Sequence, residues 1–125
     1  MKITLCGSMQ FRTKFDDAAI ELSKGGHVVY SYVGWIEPGN LSERQKEIFD
    51  LVHLRKIMTS DAVVVLGRME DGSFYIGDST RQAIYWAKIL GKRVYYEGQR
   101  SCQALFSQTI WQLPMSDPPK EEQQP

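Results

Sequence analysis

The sequence predicts a three-layer α/β fold, in which helices cover both faces of a parallel sheet of four or five strands. Two observations lead to this class. Short runs rich in β-branched and aromatic residues alternate along the chain with longer runs that carry apolar residues at helical spacing. The run Asp61–Leu66 is apolar without alternation after its first residue, which is typical of a strand buried on both faces of a parallel sheet.

The order of these runs defines the individual elements. The four predicted strands are Lys2–Cys6, His27–Tyr32, Asp61–Leu66 and Arg93–Glu97. The predicted helices run from Phe11 to Lys24, from Leu41 to about Met58, from Ser79 to Leu90 and from Ala104 to Leu113. Asn40 is the expected N-cap of the second helix, with Glu43 at the reciprocal position of a capping box. The first three helices each join two successive strands, as a parallel sheet requires.

The length and the charge balance limit the number of domains and the kinds of partner to expect. A chain of 125 residues suffices for one domain, and residues 1–115 are predicted to form it. Residues 116–125 are dominated by proline and polar residues and are predicted to be a disordered tail. Lys and Arg together number 15, as do Asp and Glu, so no net charge draws the protein to a nucleic acid polymer or to an anionic membrane.

The cysteines and the N-terminus bear on location. Cys6 and Cys102 lack the spacing of metal ligands, and Cys6 ends a strand-like run where a buried thiol is the common case. The sequence shows neither a signal peptide nor an apolar run of membrane-spanning length. These features predict a soluble protein of the reducing cytoplasm.

The loops at one edge of the sheet form the predicted ligand site. In an open parallel sheet a ligand binds beyond the carboxyl ends of the strands, where the strand order reverses. Three loops meet at this edge, namely residues 7–12, 32–39 and 67–80. Trp35, on the second loop, could stack on a base, and packing in the core or at a dimer interface is the equal alternative.

The loop after the first strand carries several candidate binding residues. Gly7 allows the backbone to approach a ligand closely, and Ser8 offers a hydroxyl. Arg12 could form a two-pronged contact with phosphate while Phe11 stacks on a base or sugar; alternatively Phe11 is a core residue and Arg12 is solvated. The further glycines of a dinucleotide fingerprint are missing here, and the chain contains no P-loop, which argues against a dehydrogenase and against an ATPase.

The stretch from Gly77 to Ala83 predicts the start of a helix that could bind an anion. Asp78 or Ser79 is the expected cap, with Gln82 completing a capping box after Ser79. The amides of the first turn and the helix dipole attract anions, and the side chains of Ser79, Thr80 and Arg81 add donors. An ordinary well-capped helix is the alternative.

Four short stretches, in this order and spacing, resemble the nucleoside 2-deoxyribosyltransferase superfamily. They are Leu5–Met9, Asp61–Leu66, Tyr75–Thr80 and Leu90–Val94, and the resemblance covers residues 2 to about 97. The similarity is greatest to the branch of (deoxy)nucleoside 5'-monophosphate N-glycosidases and to relatives from phages and plasmids. It implies a flavodoxin-like or Rossmann-like fold, a homodimer whose neighbour helps to close each site, no metal or other cofactor, and cleavage of the bond between base and sugar.

The resemblance also implies roles for individual residues. The substrate-binding residues that it and the loop chemistry indicate are Gly7, Ser8, Phe11, Arg12, Trp35, Gly77, Ser79, Thr80 and Arg81. Ser79 and Thr80 are implied to hold the 5'-phosphate or the sugar of a nucleoside monophosphate or deoxynucleoside. The family's catalytic glutamate, the nucleophile that attacks the anomeric carbon, falls on Ala83.

Ala83 leaves more than one functional hypothesis open. The alanine is an inactivating substitution, a natural loss or relocation of the carboxylate, or the sign of a shifted register. Asp78 is the nearest remaining carboxylate, with helix capping as its alternative role. The expected activity is N-glycosidase or deoxyribosyl transfer, and the alternative is a non-catalytic nucleotide sensor or sequestering protein. His53 and Lys56, three residues apart on the second helix, could reach a phosphate or a base, or else pack in part against the core.

Overall fold

The computed structural model describes residues 1–32 and 38–107. Its strands are β1 (Lys2–Gly7), β2 (Val28–Tyr30), β3 (Ala62–Leu66) and β4 (Arg93–Tyr96), and its α-helices are α1 (Arg12–Lys24), α2 (Glu43–Thr59), α3 (Asp78–Ile89) and α4 (Arg100–Ser107). Short 3₁₀ turns cover Met9–Phe11 and Pro38–Asn40. Trp35, the predicted end of the last helix at Leu113 and the predicted tail 116–125 lie outside the described residues.

The described strands form one parallel sheet in the order β2-β1-β3-β4. This is the order of a doubly wound sheet, in which the chain moves outward from β1 to β2 in one direction and from β3 to β4 in the other. In the central pair Ile3 lies beside Ala62 and Gly7 beside Leu66. The predicted α/β class with a parallel sheet is therefore confirmed, and the strand order reverses between β1 and β3.

Both faces of the sheet are covered by helices, because alternate side chains of the central strands point to opposite sides. On one face Leu5 and Val64 pack with the apolar side of α1 and with Cys102 and Leu105 of α4. On the other face Cys6, Val63 and Val65 pack with Ile57 of α2 and with the buried alanines of α3. The three layers predicted from the sequence follow from this division.

Both predicted helix caps differ from the structure. The N-cap of α2 is Ser42, whose hydroxyl accepts a hydrogen bond from the Gln45 amide, while the Gln45 side chain accepts one from the Ser42 amide. The predicted cap, Asn40, lies instead in the 3₁₀ turn Pro38–Asn40, two residues too early to reach the first turn. Since the spacing to Glu43 looks equally good in the sequence, only the backbone conformation selects Ser42.

For α3 the predicted side-chain cap is wrong. The helix already begins at Asp78, and its N-cap is Gly77, which makes no side-chain cap hydrogen bond. Asp78 and Ser79 lie inside the first turn, so neither occupies the flanking position from which a side chain caps the amides that follow. The predicted capping box of Ser79 and Gln82 therefore does not form.

The remaining boundaries differ from the predictions by a few residues. β2 is shorter than predicted, since it lies at the edge of the sheet and pairs with β1 only along Lys2–Thr4. The last helix begins at Arg100, before the predicted Ala104. Among the helices within residues 1–32 and 38–107, none is long and apolar enough to cross a membrane.

Candidate functional site

A cavity of about 460 Å³ lies at the carboxyl edge of the sheet. Its walls are the first turn of α3 and one side of α2, and the loop after β1 and Tyr32 after β2 complete it. This is the position that the reversal of strand order predicts for a ligand, and the volume falls within the usual range for small-molecule sites.

Six of the predicted site residues line this cavity. They are Gly7, Ser8, Gly77, Asp78, Ser79 and Thr80. Arg81 is exposed on the first turn of α3 outside the lining, and Arg12 is exposed at the start of α1, also outside it. Phe11 belongs to the buried core, with its ring 6.4 Å from the ring of Tyr75. Trp35 is outside the described residues.

Gly7 brings β1 unusually close to its neighbours. A Cβ atom at this position would lie 2.5 Å from the carbonyl oxygen of Leu66 and 3.1 Å from the ring of Phe15, so a larger residue would push the strands apart. Ser8, which follows, accepts a hydrogen bond from the Gln10 amide at 3.4 Å. Its hydroxyl proton is not used in that bond and can be donated to a ligand in the cavity.

The first turn of α3 presents free donors to the cavity. The amide of Arg81 is the first to bond back along the helix, to the Gly77 carbonyl at 2.9 Å, so the three preceding amides have no intrahelical partner. No side chain caps them. Thr80 is only 3% exposed and lines the cavity, yet its hydroxyl forms no hydrogen bond within the described part of the chain. These groups together form a site that favours an anion.

Ala83 lies one helical turn beyond Thr80 and is fully buried. It packs in the cluster that contains Cys6, Val63 and Val65, on the face of α3 that is turned to the sheet. The position at which the resemblance expects a glutamate is thus filled by core packing and does not line the cavity. Among the described residues, Asp50 and Asp78 are the carboxylates in the lining.

Of the wall formed by α2, the sequence indicated His53 and Lys56, which do line the cavity, and did not indicate Lys46 and Asp50. Lys46, Asp50 and His53 recur at intervals of four and three, which places them on one side of the helix, and all three line the cavity together with Lys56. That spacing was the available signal. It was masked by the many polar residues of α2, most of which are simply exposed.

His53 is the most enclosed polar residue of this wall. It is 8% exposed, its Nε2 lies 3.6 Å from the Cys6 Sγ, and its ring stacks on Tyr32 with centroids 4.6 Å apart. Its Nδ1 is buried and has no hydrogen-bond partner among the residues that the structure describes. Burial, and secondarily the positive charge of Lys56, lower the pKa of His53 to about 4, so the imidazole is neutral at physiological pH.

The groups around His53 are held in fixed protonation states and positions. Burial raises the pKa of the Cys6 thiol to about 12, so the sulfur keeps its proton. Burial also raises the pKa of Tyr32, whose hydroxyl accepts a hydrogen bond from the Gly7 amide. The Lys56 ammonium donates to the Ser31 carbonyl at 2.6 Å, and burial lowers its pKa. These contacts tie α2 to the carboxyl ends of β1 and β2.

The fold and the cavity define a doubly wound α/β protein with a ligand-sized site at the reversal of strand order. Among solved structures, the chain is similar to a 2-deoxyribosyltransferase from the psychrotolerant bacterium Bacillus psychrosaccharolyticus, an enzyme characterised as a biocatalyst for nucleoside synthesis. The two share 22% sequence identity over 77% of this chain and 71% of that chain, with a TM-score of 0.57. This likeness shows the fold. No protein-family model and no curated protein matches the sequence.

Proposed function

We propose that this protein binds a nucleoside 5'-monophosphate or a deoxynucleoside in the cavity and acts on the bond between base and sugar, by hydrolysis or by deoxyribosyl transfer. The observation that carries the proposal is the uncapped first turn of α3, which opens onto a cavity of nucleotide size. The structural likeness to a deoxyribosyltransferase supports it at the level of fold.

In this proposal the 5'-phosphate binds at the start of α3. The amides of residues 78–80 and the hydroxyls of Ser79 and Thr80 donate to its oxygens, and Arg81, exposed on the same turn outside the lining, adds positive charge to this end of the helix. Gly77 lets the phosphate approach because it carries no side chain. The sugar then lies near Gly7 and Ser8, at the end of β1.

Glycosidases generally cleave the bond to the anomeric carbon with the help of a nearby carboxylate, and cleavage of the base–sugar bond is expected to need one here. Asp78, which lines the cavity on the first turn of α3, is the candidate for that role. In the hydrolytic reaction the oxygen of a water bonds to the anomeric carbon while the base leaves with the electrons of the broken base–sugar bond. The carboxylate takes one proton of the water, and that proton then passes to the departing base, which restores the carboxylate.

A second candidate function, a non-catalytic sensor or sequestering protein, is favoured by one observation. Ala83 is completely buried, so the cavity is not merely lacking the glutamate side chain but is closed at that position by the core. A protein that retained the phosphate site and lost the carboxylate would bind nucleotides and leave them intact.

The test is free-base release from a panel of nucleoside monophosphates, with binding followed by calorimetry. The wild-type chain is compared with Asp78→Asn, with Ala83→Glu, and with Ala83→Gln as the uncharged match of nearly equal volume. Thr80→Val, which removes one hydroxyl at nearly constant volume, reports on the phosphate site. We expect wild-type binding with a dissociation constant that Thr80→Val raises by about tenfold.

The outcomes separate the two candidates. Base release by the wild type that is lost in Asp78→Asn supports an enzyme that uses Asp78. Release by Ala83→Glu alone, and not by Ala83→Gln, supports a site whose nucleophile has been replaced. Binding without release by any variant supports the sensor, and the absence of nucleotide binding contradicts both candidates.

We also propose that the protein forms a homodimer through the outer faces of α2 and α3. Several large apolar side chains are exposed there: Ile48, Phe49, Leu51 and Val52 on α2, and Tyr85 and Ile89 on α3. Tyr85 and Ile89 are each 63% exposed, and Ile48, Phe49 and Val52 also line the cavity. A second copy seated on this face would bury these side chains and cover the cavity at the same time.

Sedimentation equilibrium tests the dimer. We expect a dimer at micromolar concentrations and a monomer for the double variant Tyr85→Glu/Ile89→Glu, which places charge in the middle of the apolar face. The matched control is Ile20→Glu, an exposed apolar residue on α1, which should leave the dimer intact. A monomeric wild type would contradict the proposal.

A further inference from the structure

His53 combines three properties that its packing alone does not require. It lines the cavity, it is more than nine-tenths buried, and its Nδ1 has no hydrogen-bond partner within residues 1–32 and 38–107. A buried polar atom without a partner is unfavourable, and in native proteins such an atom is usually satisfied by protein, water or ligand. The unmet hydrogen bond of Nδ1 therefore points to a bound group.

Nδ1 lies on a different side of the His53 ring from the contact with Cys6, and it is itself buried. Nε2 faces the Cys6 Sγ on β1 at 3.6 Å, and the two ring nitrogens point to different sides of the imidazole. Stacking on Tyr32 at a centroid distance of 4.6 Å holds the plane of the ring. Cys6 directly precedes Gly7, so His53 lies beside the strand end that leads into the loop of Ser8.

We propose that His53 determines sugar specificity, because its Nδ1 hydrogen-bonds a hydroxyl of the sugar of the nucleotide that binds in the cavity. The inference rests on the proposed function, in which the phosphate is held at the start of α3 and the sugar lies near Gly7. It assigns to the sugar a contact from α2, the wall opposite the phosphate site.

The chemistry of the pocket favours a hydroxyl as the partner. A phosphate oxygen would be bound best by a protonated imidazole, and burial together with the neighbouring Lys56 disfavours that form. A hydroxyl both donates and accepts, so it matches a neutral imidazole in either tautomer. The Cys6 thiol, which is a weak donor and a weak acceptor, is compatible with both tautomers as well.

The first experiment uses the wild-type chain with ¹⁵N-labelled histidine and ribose 5-phosphate as the probe. The sequence contains two histidines, so each ring nitrogen can be assigned. We expect ribose 5-phosphate to shift the Nδ1 resonance of His53. His27, whose Nδ1 lies 2.9 Å from the N-terminal amine of Met1 at the opposite edge of the sheet, is the internal control and should not shift.

The second experiment measures the affinity of ribose 5-phosphate, of 2-deoxyribose 5-phosphate and of the matching ribo-, 2'-deoxy- and 3'-deoxynucleoside monophosphates. His53→Phe keeps a ring that can stack on Tyr32 and removes both nitrogens. We expect it to weaken binding of the sugar phosphate and of the nucleotide by a similar factor, about fivefold to tenfold, and to abolish the discrimination between sugars. His53→Gln, which keeps hydrogen-bonding groups, should recover part of the affinity.

Each outcome decides the matter. If wild type binds nucleotide but His53→Phe binds it equally well and keeps its sugar preference, the inference is wrong and the proposed function stands. If His53→Phe weakens the nucleotide but not ribose 5-phosphate, His53 contacts the base and the sugar assignment is overturned. If wild type binds neither probe, the proposed function and the inference fail together. Should His53→Phe not fold, the shift of Nδ1 in the wild type decides alone.

Discussion

The two helices that flank the cavity begin in opposite ways. At the start of α2, Ser42 and Gln45 satisfy each other's amides in a capping box, with hydrogen bonds of 3.0 and 3.1 Å. At the start of α3, Gly77 provides no side chain and the first-turn amides face the cavity. Neither Ser42 nor Gln45 lines the cavity. One helix start thus serves the stability of the helix, and the other is left open for a ligand.

An open helix start need not destabilise the fold. Glycine is an acceptable N-cap, only a few tenths of a kcal/mol worse than a capping side chain. The open start therefore leaves the free energy of unfolding nearly unchanged, while it keeps three amides and the hydroxyl of Thr80 available. Four changes test how far this contrast between α2 and α3 extends.

The largest effect is expected for Ala83→Glu, which probes the buried side of α3 just below its open start. Ala83 has no exposed surface, so the change forces a carboxylate into the core and should lower the free energy of unfolding by about 3 kcal/mol or more. Ala83→Gln should lower it by less, since it adds volume without charge. Urea unfolding of both variants measures the difference. Equal stabilities would show that position 83 opens into the cavity and could hold a catalytic carboxylate.

The next effect concerns the buried side of α2. The pKa of His53 is lowered from 6.5 to about 4 in the folded protein. Between pH 6.5 and about pH 4, His53 is protonated in the unfolded chain but stays neutral in the folded protein. The free energy of unfolding should therefore drop by about 3 kcal/mol as the pH falls through that window. The contribution of His53 to stability is thus fully present above pH 6.5 and is lost toward pH 4.

The measurement is urea unfolding of wild type and His53→Phe at several pH values. Tyr32 after β2 and Cys6 on β1 contact the His53 ring, Lys56 on α2 acts on it by its charge, and Asp50 on α2 lines the same cavity; the substitution leaves all four side chains in place. The carboxylates elsewhere also contribute equally to both, so the difference between the two slopes isolates His53. Parallel slopes would mean that the imidazole is protonated as easily in the folded protein as in the unfolded chain.

A smaller effect is expected from closing the start of α3. Gly77→Asp supplies a side chain that can cap the first turn, and its negative charge repels a phosphate. The backbone at Gly77 has φ −81° and ψ 176°, which any residue adopts, and the new Cβ would lie 3.3 Å from the Tyr75 hydroxyl, the end of a side chain that can move. Affinity for inorganic phosphate, measured by calorimetry, should fall by about tenfold or more.

Gly77→Asn is the matched control, because it offers a cap of the same size without the charge. It should weaken phosphate binding less than Gly77→Asp does. Unchanged phosphate affinity in the aspartate variant would place the anion site somewhere other than the start of α3.

The smallest effect is expected from removing the cap at the start of α2. Ser42→Ala removes the cap and should lower the free energy of unfolding by about 1 kcal/mol. Its phosphate affinity should equal that of the wild type, because Ser42 does not line the cavity. Thermal unfolding and calorimetry measure the two quantities. A loss of phosphate affinity in Ser42→Ala would erase the contrast between the two helix starts.

Sequence reasoning predicted the elements of the fold better than their ends. The strands β1, β3 and β4 are predicted to within one residue at either end, because a run of buried apolar residues is a local pattern. The caps were wrong at both flanking helices. Ser42 and Asn40 are equally good capping residues by type, and only the backbone conformation decides which of them occupies the N-cap position.

The residues that line the cavity show the same difference between local features, which the sequence reveals, and long-range contacts, which it does not. Gly7, Ser8 and the residues 77–80 were predicted from the sequence because they follow strands directly or start a helix, and both are local features that indicate the carboxyl edge of a parallel sheet. Lys46 and Asp50 were not predicted, since their place in the site depends on how α2 packs against distant strands.

The alternation of strands and helices, the edge of the sheet where a ligand would bind, and the absence of a carboxylate at position 83 can be read from residue type and local order along the chain. The burial of Ala83 in the core, the uncapped start of α3 and the neutral imidazole of His53 between Cys6 and Tyr32 become evident only in the packed fold. Burial and the pKa values that follow from it arise from contacts between residues far apart in the chain, and these contacts exist only once the layers have packed.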